Sequence, residues 1–385
     1  MQKWFRSHGK EWRVILAFSI ILFILWLLPT GFEKQIYLNA EGVKAKIIEV
    51  NNEGVYLTGM IQQGEQQCLI EILDGTHQGK VVEGINLLTG KIEVDKIFQV
   101  GDIAWTLLEV DENHGIIFAN LIDYYRIDKQ LMLIGLFVIL MVICSGYTGI
   151  RTLLSFAFSL LSIYKLLIPT LLKGFSPLVI ALVVGNILSL VTLLLVVGPN
   201  KRAWTAMLSY FICSFLTCFL AVSFSELFKM NGAVMEFSEA LLYVGYENLN
   251  LTAIFQAGIY LACSGAILDL AIDISAGLDE VKKANPILTR MHLIKSGFSI
   301  GKSVVGTQIT TLLLAYMGSY LTILMVYMAQ GTPMMSVLNS QKISAEILHT
   351  FIGCIGLVLV SPLTSIICGF IYCPSQNIKP IKKAQ

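Results

Sequence analysis

Apolar runs of about 20 residues recur along this chain. As helices rising 1.5 Å per residue, such runs match the roughly 30 Å hydrocarbon core of a bilayer. About eight of them stand out, at residues 14–28, 131–147, 152–172, 177–197, 203–224, 251–274, 304–328 and 347–372. Hydrophobic residues make up 55% of the 385 and charged residues only 14%, more apolar surface than one soluble core can absorb. The net charge of +1 gives no electrostatic basis for binding nucleic acid.

The first run follows Lys3, Arg6, Lys10 and Arg13, as the apolar stretch of a signal peptide would. No small-residue cleavage site follows, and Pro29, Thr30 and Gly31 lead into Phe32, Glu33 and Lys34, so a retained anchor with a cytoplasmic N-terminus is expected. Across 31–128 the texture changes to short alternating segments at 43–50, 66–73, 80–85, 102–108 and 115–120, separated by turn signals at Asp74-Gly75, Thr89-Gly90 and Gly101-Asp102. That pattern predicts a small all-β domain, an OB-like barrel or a sandwich.

Loop charges set the orientation. Arg151, the pair Lys201 and Arg202, the group Lys282, Lys283, Arg290, Lys295 and Lys302, and the tail Lys379, Lys382 and Lys383 fall on alternate loops. The opposite loops hold only Lys173, Lys229 and Lys342, and 225–250 is acidic through Glu226, Glu236, Glu239 and Glu247. Both termini are therefore expected in the cytoplasm and the β domain outside.

Ionisable groups inside apolar spans are costly, so they are the first functional candidates. Asp269 and Asp273 lie four residues apart on the sixth span and share one helical face. Gly258, Ala262, Gly265 and Ala266 follow the same spacing, which predicts carboxylates pointing into the bundle beside a closely packed neighbour. Two carboxylates so placed suit proton exchange or cation capture. The seventh span carries Ser303, Thr307, Thr311, Ala315 and Gly318 as a second small stripe, with Gln308 and Thr310 beside it. Thr307, Gln308, Thr310 and Thr311 join the two aspartates as candidates for an ion or substrate pathway, although packing between helices is their simpler role.

Other polar residues read as structural. Asn186 with Ser189, and Ser155, Ser159 and Ser162, suit hydrogen bonds between helices. Lys165 can snorkel to headgroups, and Arg151 anchors a span end. Residues 278–302, interrupted by Pro286 and carrying Gly297 and Gly301, have the mixed character of an interfacial amphipathic helix or a basic loop. Gly301-Lys302-Ser303 lacks the preceding glycine of a phosphate loop, and His8, His77, His114, His292 and His349 form no helical metal pair, so neither cofactor nor metal is expected. Seven cysteines lie in or beside apolar segments and only Cys68 falls in the β region, which points to packing rather than disulfides.

The stretch Gly265-Ala266-Ile267-Leu268-Asp269 through Glu280, then Gly301, and Gly306-Thr307 through Gly318 resemble the signature segments of the YibE/F family of bacterial membrane proteins. So do Gly149-Ile150-Arg151, Ile168-Pro169 and Leu172-Lys173-Gly174 with Pro177, and in the β region Gly79-Lys80, Asn86, Leu88-Thr89-Gly90 and Gly101-Asp102. The resemblance implies a multi-pass protein of the bacterial cytoplasmic membrane, often encoded beside a paralogue. Asp269 falls on the family's acidic position, whereas Asp273, Thr310 and Ser303 depart from the residues expected there.

The expected fold is thus an α-helical polytopic membrane protein of about eight transmembrane helices with an inserted small all-β extracytoplasmic domain. Its regions are a cytoplasmic N-terminus and first span (1–30), the β domain (31–128), a seven-helix bundle (129–373) and a basic tail (374–385). Function is expected to be that of a permease or exporter component for a small solute or ion, as a homo-oligomer or with a paralogous partner. The alternative is a membrane-anchored scaffold or assembly factor whose β domain binds envelope partners. An intramembrane aspartyl protease is disfavoured because both carboxylates share one helix, and no enzymatic role is assigned.

Overall fold

The computed structural model describes residues 9–32, 40–111 and 115–373. The charges at Lys3, Arg6, Lys379, Lys382 and Lys383, together with His8, Glu33, Lys34 and His114, lie outside the described residues. Two compact units emerge: Glu33–Ile143, and Met1–Phe32 with Cys144–Gln385.

The first unit is a β-barrel. Its strands are β1 (Ala40–Asn51), β2 (Val55–Thr58), β3 (Ile61–Ile72), β4 (Val81–Thr89), β5 (Ile103–Val110) and β6 (Ile116–Tyr124). They pair in the order β1-β5-β6-β4-β3, and β1 pairs back with β3, closing five strands into a ring while β2 extends β3 as a hairpin. Closure selects a barrel over a sandwich and removes the edges of the five ring strands, while β2 has β3 as its partner strand. Every pairing is antiparallel except β4 with β6.

The period-2 alternation read from sequence sends Val43, Ala45 and Ile47, then Cys68, Ile70 and Ile72, then Ala104 and Leu108, into one core with Phe98. One polar pair is buried there. Gln66 and Asn86 face each other across β3 and β4 and are both 0% exposed. The Gln66 amide donates to the Phe98 carbonyl at 2.9 Å and accepts from the Phe98 N–H at 3.0 Å, while Asn86 donates to Gln66 at 3.0 Å and to the Lys96 carbonyl at 2.6 Å. Those bonds satisfy the backbone of the β4–β5 loop where water cannot reach it.

The second unit is helical. After α1 (Gly9–Leu27), the helix α2 (Ile127–Ser162), whose residues up to Ile143 belong to the first unit, passes through a π-turn, Ile163–Leu167, into α3 (Ile168–Leu172). The bundle continues with α4 (Pro177–Val196), α5 (Lys201–Leu227), α6 (Ser238–Tyr243), α7 (Leu251–Ala284), α8 (Arg290–Ala329), α9 (Met334–Asn339) and α10 (Gln341–Tyr372). Local signals set the ends. Pro177 opens α4, and the Asn250 side chain caps α7 by accepting from the Ala253 N–H at 2.9 Å.

Among the described residues six helices are long and apolar enough to cross a membrane, and 15–27 forms a shorter apolar one. The count falls two short of the expected eight: the shorter 15–27 helix accounts for one and the merging of two runs for the other. Runs 131–147 and 152–172 are not separated by a loop at Arg151; they belong to one helical stretch, Ile127–Leu172, interrupted at Gly146 by a backbone of φ 53° and ψ −126°. Only glycine adopts that conformation readily.

Residues 278–302 form neither a separate interfacial helix nor one basic loop: they divide into the end of α7, a turn at Pro286, and the first turns of α8. Gly297 and Gly301 are contact points between helices. A Cβ on Gly301 would run into the Ser361 Oγ of α10, and one on Gly297 would fall 2.5 Å from the Ser365 Oγ. Helices α5, α7 and α10 enclose the main core, which includes Tyr210, Cys213, Cys263, Ile267, Leu270, Ile274, Leu357 and Cys368. Hydroxyls and amides tie further pairs: Ser155 to Thr192 at 2.8 Å between α2 and α4, and Asn186 to Ser214 at 3.4 Å between α4 and α5.

Candidate functional site

Asp269 and Asp273 sit on α7 among residues whose spacing decides which way they face. Ile267, Leu270, Ala271, Ile274 and Leu278 form the i, i+3, i+4 stripe that packs into the core, and all five are 0% exposed. Both aspartates therefore emerge on the other side of the helix and are exposed. This corrects the expectation of carboxylates aimed into the bundle: the inward face is already filled by apolar side chains.

Their depth follows from a neighbouring contact. The Ser275 hydroxyl donates to the Arg202 carbonyl at 2.9 Å, so this level of α7 coincides with the beginning of α5. At 1.5 Å per residue Asp273 lies about 3 Å, and Asp269 about 9 Å, further into the apolar part of the helix. Below that level Arg202 pairs with Asp279 at 2.5 Å and with Glu280, and Lys283 reaches Asp279 at 2.9 Å. One end of the bundle thus gathers the basic residues that open α5 and close α7.

The second candidate stripe also lies open. Thr307, Thr310 and Thr311 are exposed, and each hydroxyl donates to a carbonyl of its own helix: Val304 at 2.8 Å, Gly306 at 3.1 Å and Thr307 at 3.0 Å. Gln308 beside them is half-buried. Positions Gly258, Gly265, Gly306 and Gly318 have nothing within 4 Å of an added Cβ. The two small stripes therefore do not pack on one another. Contact between α7 and α8 falls instead where Gly277 meets Ile300, and Leu278 meets Gly297.

Lys165 donates to the Leu28 carbonyl at 2.9 Å, placing its charge at the C-terminal end of α1. Arg151 lies 4.9 Å from the centre of the Tyr147 ring within α2.

At the opposite end of the bundle the structure assembles residues that sequence reasoning passed over. A cavity of about 270 Å³ lies between the first turns of α7 and α10, the last turns of α8 and the segment before α6. Phe255, Tyr320, Glu346 and His349 line it, with Glu236 and Lys342 at its exposed rim. The His349 imidazole stacks on Phe255 at 5.3 Å and on Tyr316 at 6.0 Å, and its Nδ1 lies 3.9 Å from the Glu346 carboxylate. Pairing between histidines could not reveal it, because the neighbour of this histidine is a glutamate. A glutamate three residues before a histidine, at the start of an apolar span, is the local signal that was available.

A protein-family comparison matches residues 133–374 to the family described as YibE/F-like protein. The match takes in the helices that carry the aspartates, the threonines and the cavity, and it begins after the barrel. No curated protein and no solved structure matches the chain.

Proposed function

Because the chain belongs to the YibE/F-like family, matched over residues 133–374, and carries six helices long enough to cross a bilayer, we propose that it is a multi-pass protein of the bacterial cytoplasmic membrane serving as a permease or exporter component. The observation that carries this reading is the position of Asp269: an exposed carboxylate about 9 Å inside the basic end of the bundle, on a face otherwise built of small residues. A carboxylate held against lipid is costly, so such a residue calls for water, a cation or a protein partner.

In this reading the basic end, with Arg202 and Lys283, faces the cytoplasm by the positive-inside rule, and the barrel lies outside, OB-like in its five-strand closure. Asp269 and Asp273 border the path, with Thr307, Gln308, Thr310 and Thr311 on the neighbouring open face. A second copy, or a paralogue, would pack against the uncovered small stripes at Gly258, Gly265, Gly306 and Gly318.

The test is water access. With the eight native cysteines replaced, Asp269→Cys in inside-out vesicles should react with a membrane-impermeant maleimide, and Asp269→Asn at normal expression should abolish solute flux in proteoliposomes. A cysteine that stays unmodified from both sides, or unchanged flux in the Asn variant, would remove Asp269 from the pathway.

The scaffold reading draws on a different observation: the β2–β3 hairpin presents Tyr56, Leu57 and Met60 at 59%, 70% and 93% exposure, an apolar tip suited to a partner. Deleting 31–128 separates the two. Flux that survives without the barrel rules out the scaffold role as the main one.

A further inference from the structure

We propose that the cavity bounded by Phe255, Tyr320, Glu346 and His349 is a binding site for a small alkylated ammonium ion. Three features of its lining converge on that chemistry. Glu346 and Glu236 supply two carboxylates against the single ammonium of Lys342, a formal charge of −2 + 1 = −1 from these three side chains, which favours a cation. Phe255 and Tyr320 line the cavity, and aromatic rings are the groups that hold quaternary and methylated ammonium ions. The rest of the wall is largely aliphatic, with Val234, Ile323 and Ala345, and suits alkyl substituents better than a hydrated inorganic ion.

Size and donor set narrow the class further. About 270 Å³ falls just below the roughly 300–1,000 Å³ of ordinary ligand pockets, which restricts the occupant to a solute of a few carbons around one charged nitrogen. Among the described residues no three of His, Cys, Asp and Glu come together as a metal site, so a bare divalent ion finds too few ligands. The His349 Nε2 is buried without a hydrogen-bond partner among the described residues, and its ring is held by Phe255 of α7 and Tyr316 of α8. The wall is thus fixed by three helices.

The site lies on α7 at Phe255, 14 residues before Asp269, or about 21 Å away along the helix axis. Its occupancy is independent of whether Asp269 takes part in transport.

The experiment uses the purified full-length protein in detergent and two probes of matched shape: choline, and its neutral carbon analogue 3,3-dimethylbutan-1-ol. Choline should raise the melting temperature in a saturable way and the neutral analogue should not. Glu346→Gln should weaken choline binding at least tenfold, and Glu236→Gln at the exposed rim should weaken it several-fold with an unchanged melting temperature of the unliganded protein. Equal response to both probes, no response to choline, or undiminished choline binding in Glu346→Gln overturns the proposal. If Glu346→Gln does not fold, Glu236→Gln decides: unchanged affinity overturns it.

Discussion

The hydroxyls of Tyr210 and Tyr260 meet 3.1 Å apart between α5 and α7, with both side chains 0% exposed. Tyr210 is nine residues from the start of α5 and Tyr260 nine from the start of α7, so each lies about 13 to 14 Å along its helix. The two helices run in opposite senses between the basic end and the cavity end, so the contact falls near mid-bundle. Gly185 of α4 leaves room for it, because a Cβ there would fall 2.6 Å from the Tyr260 hydroxyl. Tyr260→Phe should lower stability in detergent by about 0.6 to 2 kcal/mol, the range of interhelical hydrogen bonds in membrane proteins. Tyr210→Phe in addition should cost less than its single effect, because the shared bond is already gone. A thermodynamic cycle from reversible unfolding reads the coupling, and strict additivity would mean the hydroxyls do not interact.

The seam between α8 and α10 rests on Gly301 lying directly under Ser361. Gly301→Ala should destabilise the bundle by about 1 to 3 kcal/mol, the usual cost of overpacking. Ser361→Gly in the same chain should restore most of that loss by removing the atom the new methyl meets. Melting temperatures of the two single variants and the double variant check this, and a double variant no better than Gly301→Ala would place the strain elsewhere.

How far these relationships were legible depends on whether they are local. Hydropathy is, so the apolar runs were visible; so was the alternation of Val43, Ala45 and Ile47, which needs only neighbouring residues. Barrel closure was not, because it depends on β1 pairing with both β3 and β5 across long stretches of sequence. Arg151 read as a loop charge because a cation in an apolar context suggests a boundary, yet the chain breaks at Gly146, where backbone freedom rather than charge decides. Asp269 could be singled out by residue type. Its facing could not, since α7 has small or apolar residues on most of its circumference and periodicity alone offers several inward stripes. Glu346 and His349 gained significance only from Phe255, Tyr316 and Tyr320, which come from other helices.

Inside the barrel the Gln66 amide forms hydrogen bonds to both backbone groups of Phe98 and to Asn86. Gln66→Leu keeps the approximate volume but leaves those buried groups without partners, and each orphaned group costs about 1 to 3 kcal/mol. The variant should loosen the β4–β5 loop first. Faster amide exchange at Phe98, with strand amides of β1 unchanged, is the expected pattern, and uniform protection across the loop would contradict it.

Acid should weaken the barrel through Glu41. The Thr76 hydroxyl and N–H both donate to its carboxylate, the latter at 2.8 Å, and against the opposing pull of burial, with smaller help from His77, they hold its pKa below the ordinary value near 4.5. A carboxyl depressed in the folded state contributes stability that is fully present above the unfolded value and is lost as pH falls through the folded one. Stability should therefore be flat above about pH 5.5 and decline below about 4.5. Cys68 reports it: the thiol is 2% exposed, and burial pushes its pKa up to about 11, so it reacts only when the barrel opens. Labelling Cys68 with 4,4′-dithiodipyridine, which reacts with thiols in acid, should accelerate across that window in the native sequence. Glu41→Gln should be less stable at neutral pH and lose part of the acid dependence. The remainder belongs to groups such as Asp95, which burial pushes upward but whose pKa the N–H groups of Thr89 and Gly90 hold low. A labelling profile identical in the two proteins would show that the Glu41–Thr76 contact contributes nothing to holding the barrel closed.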